Sequence, residues 1–194
     1  MKYSILLLFL MGTGVWALSA LAGSIMPVAS ALLSEKDALA LVGGPLGEVF
    51  KTEELPTREN GYDHISVCGF FPKGYDIQKA DRPPERGVQI QLHAMRTSAE
   101  AKSFYEHTLA SNQEMTRMQG SPFAGNKITP LKGMGEAAFL LENKIEPEPG
   151  SPYEIATVMF LKGNVMAQLM VWKKAAPATE IAKNTAKMVL SKLP

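Results

Sequence analysis

A single cysteine, Cys68, stands in a chain of 194 residues. That scarcity rules out an internal disulfide and every paired-cysteine metal motif. Histidine is scarce too: His64, His93 and His107 are the only three. The chain holds no His-Glu-x-x-His, no Gly-x-Ser-x-Gly and no Gly-rich phosphate loop, so the usual local signatures of metal, acyl-transfer and nucleotide chemistry are missing. An excess of charge is also absent. Twenty basic and 19 acidic side chains leave a formal net charge of +1, with no basic stripe for nucleic acid and no acidic tail.

What is present is concentrated first at the N-terminus. Residues 5–33 contain no charged side chain, and Lys2 precedes them. Residues 1–4 give the basic start of a secretory signal, residues 5–18 its apolar stretch, and Ser19-Ala20-Leu21-Ala22 a small-x-small site. The expected signal peptide is therefore 1–22. Ala29-Ser30-Ala31 offers an alternative cleavage after residue 31. An uncleaved anchor is the other reading, since about 20 apolar residues span a bilayer; Pro27 and the small residues after Leu18 argue against one uniform helix. Each reading puts the body of the protein outside the cytoplasm, periplasmic or secreted. The anchored one associates it with a membrane. Loss of residues 1–22 removes Lys2 alone, which leaves the mature chain formally neutral.

Export makes Cys68 informative. An unpaired cysteine in an oxidising compartment is buried, a ligand, or bonded to another chain. Burial in a strand is the expectation, because a free thiol packs as a small apolar side chain.

The pattern after the leader predicts one α+β domain over 34–194. Ser34-Glu35-Lys36-Asp37 resembles a capping box, with Leu33 and Ala38 placed as a hydrophobic staple. A helix follows over 35–42 and stops at Gly43-Gly44-Pro45. Residues 46–55 read as either a helical turn or a short strand. Residues 63–71 and 87–95 read as strands. In the second, Val88, Ile90, Leu92 and Ala94 alternate with Gln89, Gln91, His93 and Met95, so one face is apolar and the other more polar. Thr97 and Glu100 cap a helix over 98–110, and 111–127 reads as a mobile loop with a helical continuation through Met118. Gly133-Met134-Gly135 is a turn before a strand over 136–142. Residues 153–162 and 165–173 flank Gly163-Asn164 as a hairpin. A last helix opens at Pro177 and Thr179. Tight turns pair consecutive strands antiparallel. The expected fold is a curled antiparallel sheet of about five strands packed with about three helices.

Gly133-Met134-Gly135-Glu136-Ala137-Ala138 resembles the Gly-x-Gly-Asp/Glu-x-Ala turn of small extracytoplasmic domains. The Lys-Gly-Asn hairpin tip, the final helix ending in Leu-Pro, and the early helix ending in Leu41-Val42-Gly43 fit the same layout, as does the strand carrying Cys68. The similar proteins are bacterial lipoproteins and sensor-like domains of receptor kinases. The resemblance spans residues 34–194 and implies a curled antiparallel sheet between helices. Members often carry a lipidated Cys and a second structural Cys, and this chain has neither.

Three side-chain groups merit a functional reading. Gln89, Gln91 and His93 line one strand face. If a helix covers that face they need partners and could bound a cleft for a small polar ligand; if it is open they are solvated, which is the expectation. Cys68, His93 and Met95 would suit Cu(I) if their strands brought them together, with Met115–Met118 and Met166–Met170 as further pairs; core packing is the plainer reading of the methionines. A nucleophilic pair of Cys68 with His93 needs the same convergence. The functional expectation is a non-enzymatic extracytoplasmic binding domain without cofactor, which recognises an envelope protein or small ligand through one sheet face and the 111–127 loop. A soft-metal carrier is the alternative.

Overall fold

The computed structural model describes residues 27–47, 50–54, 64–76, 83–118, 126–145, 153–174 and 177–194. The expected leader and the expected cleavage site after Ala22 lie outside the described residues, as do 119–125 of the expected recognition loop. The elements are helices α1 (Ala29–Leu32) and α2 (Glu35–Val42), strands β1 (Phe50–Glu54), β2 (His64–Phe70) and β3 (Arg86–Ala94), helix α3 (Ser98–Arg117), strands β4 (Lys127–Pro130), β5 (Ala137–Ile145), β6 (Tyr153–Lys162) and β7 (Val165–Lys174), and helix α4 (Ala178–Lys192).

Local chemistry explains where the helices start. Asp37 donates its N–H to the Ser34 hydroxyl at 3.1 Å, and its carboxylate accepts the Ser34 N–H at 3.2 Å. Thr97 and Glu100 make the same reciprocal pair at 3.1 and 3.0 Å. Each box satisfies donors that the first helical turn leaves open. At the N-terminus of α4 the Glu154 carboxylate accepts the Ala178 N–H at 2.9 Å. At its C-terminus Lys192 donates to the Leu32 carbonyl at 2.9 Å. Both charges suit the helix dipole.

The strands form one open antiparallel sheet in the order β1-β2-β3-β7-β6-β5-β4. Two meanders, β1–β2–β3 and β4–β5–β6–β7, therefore lie side by side, joined where β3 pairs with β7 and linked in sequence through α3. The class is α+β. The sheet has seven strands among the described residues, two more than expected. One of the additions is β1, in the stretch that reads two ways, and the other is β4, at the end of the expected loop. Residues 111–117 continue α3, in line with the helical continuation expected through Met118. A fourth short helix, α1, precedes the expected start of the domain.

The main core lies between the sheet and α1, α2 and α4. Val88, Ile90, Leu169, Val171, Val158 and Phe160 form its floor, and Ala182, Ala186 and Val189 press down from α4. Ala29 and Leu33 are fully buried in it, and the Ala29 N–H donates to the Ser66 hydroxyl at 2.8 Å. The packed unit thus begins upstream of residue 34.

The Gly-Met-Gly-Glu turn braces the β6–β7 hairpin. Gly133 and Gly135 both have positive φ, 71° and 65°. A Cβ on Gly135 would run into the Leu161 carbonyl oxygen, whereas one on Gly133 meets nothing within 4 Å. The Glu136 N–H donates to that same Leu161 carbonyl at 2.9 Å, and its carboxylate accepts the Gly163 N–H at 2.6 Å. Asn164 then ties the hairpin tip to β3: its side-chain amide donates to the Met95 carbonyl at 2.7 Å, and its own carbonyl accepts the Met95 N–H at 2.9 Å.

Gly135→Ala is expected to destabilise the protein by about 2 kcal/mol or more, and Gly133→Ala by about 1 kcal/mol, because only the first adds a backbone collision to the positive-φ penalty. Denaturant midpoints at unchanged slope measure both, and equal losses would refute the assignment. A chain beginning at residue 32 is expected to be several kcal/mol less stable than one beginning at residue 23, since it lacks Ala29 in the core and the bond to Ser66. Equal thermal midpoints would refute that.

Candidate functional site

The two faces of the sheet are unlike. Side chains opposite the main core come from the alternate positions of the same strands. From β3 these are Gln89, Gln91 and His93; from β7 they are Met166, Gln168, Met170 and Trp172. Register sets Gln91 beside Gln168, Gln89 beside Met170 and His93 beside Met166. Val67 flanks Gln91 from β2, and Thr157 adjoins Met170 from β6.

Among the described helices α3 alone packs on this face, and it covers one end. Ala101 and Tyr105 join Met95, Phe139, Met159 and Met166 in a second, smaller core. Tyr105 meets Phe139 with ring centroids 5.7 Å apart, and Phe104 meets the His93 imidazole at 5.2 Å. The other end of the face is aromatic. Phe71 contacts Trp172 edge-on at 5.5 Å and Tyr75 at 5.6 Å. Gly69 and Gly87 allow this, because a Cβ at either would meet the Phe71 ring at 2.7 Å. Between the two ends lie the glutamines. Gln91, Gln168 and Met170 are half-buried, and Gln89 and Thr157 are buried. Among the described residues no side-chain hydrogen bond involves Gln89, Gln91 or Gln168.

The expectation that this face is simply solvated does not hold. Gln89 and His93 are each 7 % exposed, because α3 and the Phe71–Trp172 group rise at either end. Burial holds the His93 imidazole well below its ordinary value, at about 4, so near neutrality it is uncharged. The face presents amides, a neutral imidazole, thioethers and aromatic rings. Among the described residues it places no nucleophile beside a base.

The copper constellation is not assembled. Cys68 pairs with Ile90 across β2–β3 and is fully buried in the main core. His93 and Met95 lie on the opposite face, and three residues from Ile90 to His93 reverse the side-chain direction. Cys68 therefore shares no site with them, and the same separation dismantles the Cys68–His93 nucleophilic pair. Met95, Met159 and Met166 pack in the second core. Met166 and Met170 share a face of β7, as expected, while Met118 is exposed at the end of α3. Among the described residues no group of three His, Cys, Asp or Glu is placed to hold a metal ion.

Two residues of the face escape a local reading, Gln168 and Thr157. The alternation of Val165, Ala167, Leu169 and Val171 puts Gln168 on the polar side of β7. Nothing in the chain, however, says that β7 lies next to β3.

No protein-family model matches the chain, and no curated protein matches it. Among solved structures it is similar to the extracellular domain of PknH from Mycobacterium tuberculosis. The likeness has a TM-score of 0.50 at 16 % sequence identity and covers 84 % of this chain and 93 % of that one. It supports the fold. Among the described residues no helix is long and apolar enough to cross a membrane.

The depressed His93 value predicts an acid-limb effect. Unfolded, the imidazole titrates near 6.5. Because the unfolded chain takes the proton first, the stabilisation is complete above about pH 6.5 and is lost as pH falls towards 4. The loss should amount to at most about 3 kcal/mol, and His93→Gln should remove most of it. Denaturation midpoints at several pH values check this, and a His93 resonance titrating near 6.5 in the folded protein would refute it.

Proposed function

We propose that the protein is a non-enzymatic binding domain that works outside the cytoplasm and recognises an envelope component or small ligand on the α3 side of its sheet. The observation that carries this reading is the row of glutamines. Gln91 and Gln168 are cross-strand neighbours whose amides have no hydrogen-bond partner among the described residues, and they sit between the raised α3 end and the aromatic end of the face. Half-buried amides in such a position are ready to accept a ligand's hydrogen bonds.

The export reading rests on the uncharged run of residues 5–33 behind Lys2. The likeness of the fold to a receptor kinase's extracellular domain is in keeping with it. The non-enzymatic reading rests on placement: Cys68 is sealed in the main core while His93 is on the other face.

Trp172 is a built-in reporter, because the second of the two tryptophans, Trp16, belongs to the leader. A soluble extract of the native envelope is expected to shift Trp172 fluorescence and the amide resonances of β3 and β7, and the double variant Gln91→Leu, Gln168→Leu should lose both shifts. Shifts confined to the α4 side, or hydrolytic turnover of ester, peptide or phosphate substrates abolished by His93→Ala, would overturn the proposal.

A further inference from the structure

We infer that the occupant of this face is an uncharged, hydroxyl-rich ligand with apolar faces, that is, a neutral oligosaccharide. The inference rests on the binding role proposed above and names the ligand class.

Three features of the face converge on that class. The first is the absence of charge along the glutamine row. Val67, Gln89, Gln91, Gln168, Met170 and Thr157 carry no ionisable group, and β3, β6 and β7 keep Lys173, Glu154 and Arg86 on the opposite side by strand alternation. Lys173 and Glu154 are further engaged there, with the Val42 carbonyl and the N-terminus of α4. Lys174, beyond Trp172 on the same side of β7 as the glutamines, sets its ammonium over the Tyr153 ring, 5.8 Å from the centroid. A phosphate, carboxylate or ammonium set on the glutamines would lose water and find no opposite charge, which disfavours it strongly.

The second feature is the unmet hydrogen-bonding capacity. Each glutamine amide offers two donors and a carbonyl acceptor. Gln91 and Gln168 stand about 5 Å apart across the strands, and Gln89 is about 7 Å along β3 on the same face. An acyl chain laid over the half-buried Gln91 and Gln168 would strip water from both amides and replace none of the hydrogen bonds, at about 1–3 kcal/mol each. The occupant must bring groups that both donate and accept, which hydroxyls do.

The third feature is apolar surface beside the amides. Met170 and Val67 are half-buried next to Gln89 and Gln91, and the Trp172–Phe71 pair closes the end of the row. A sugar ring combines C–H faces with a rim of hydroxyls, so it can cover the thioether and rings while its rim meets the amides. An uncharged extended peptide carries donors and acceptors too, but its backbone groups point along a sheet plane and suit a sheet edge rather than a sheet face.

The test is calorimetric titration of the exported protein with short neutral oligosaccharides of glucose, mannose and N-acetylglucosamine, alongside their phosphorylated forms and an uncharged peptide. At least one neutral sugar is expected to bind and to shift tryptophan fluorescence, the shift being lost in Trp172→Phe. Gln91→Leu and Gln168→Leu should each weaken binding by about tenfold or more with an unchanged melting temperature. Glu106→Gln, on the exposed outer side of α3, should leave it unchanged, and phosphorylation of the sugar should weaken it. Sugar binding that ignores both glutamine variants would overturn the inference, as would tighter binding of the phosphorylated form. If no sugar binds while the envelope extract or the peptide still perturbs β3 and β7, the ligand class is wrong and the binding role stands. If neither sugar nor extract perturbs the face, both fall.

Discussion

The pairing of β3 with β7 is the constraint on which the rest depends. It joins two meanders that are otherwise separate in sequence, and it runs for nine residue pairs from Arg86–Lys173 to Ala94–Val165. Both cores straddle it: Ile90 and Leu169 are neighbours on the main-core side, and His93 and Met166 on the other. Its far end is locked by the hairpin tip, where Asn164 holds Met95 through both its main chain and its side chain. That tip is in turn held by Glu136 from the Gly-Met-Gly-Glu turn. A motif that looks like a loop feature in sequence thus stabilises the centre of the sheet.

Strand alternation then sorts the chemistry. Side-chain direction reverses at each step, so residues that seem close in a list of strands lie on opposite sides of a sheet. Cys68 falls among Ile90, Phe70 and Val88 in the main core and behaves as a small apolar side chain. With no exposed surface it is shielded from a partner thiol. The same alternation gathers Gln91, Gln168 and Met170 on the side that α3 alone covers among the described helices, and it puts Arg86, Lys173 and Glu154 on the other. One rule therefore both removes the copper and nucleophile readings and creates the amide row.

Much of the fold was legible because its signals are short in range. The capping boxes at Ser34 and Thr97, the hairpin at Gly163-Asn164 and the alternation in β3 each involve residues within one element or turn, and each is found where it was expected. The elements that escaped have weak local signals. Strand β4 is four residues long with Pro130 at its end, and its one cross-strand partner is β5. Strand β1 stands first in the sheet order and, among the described residues, pairs with β2. The continuation of α3 to Arg117, with Met118 as its C-cap, is where the helical continuation through Met118 was expected.

For the candidate site, the sequence by itself determined the membership of one strand. Gln89, Gln91 and His93 share a face because the period of a strand is two, and no tertiary contact alters that. Only the tertiary structure decided what stands beside them. The placement of β7 against β3 brought Gln168 and Met170 alongside, and the path of α3 buried His93 at one end and left the glutamines at its margin. Strand order and helix coverage come from hydrophobic contacts between segments distant in sequence, and local alternation carries no record of which strand will be the neighbour.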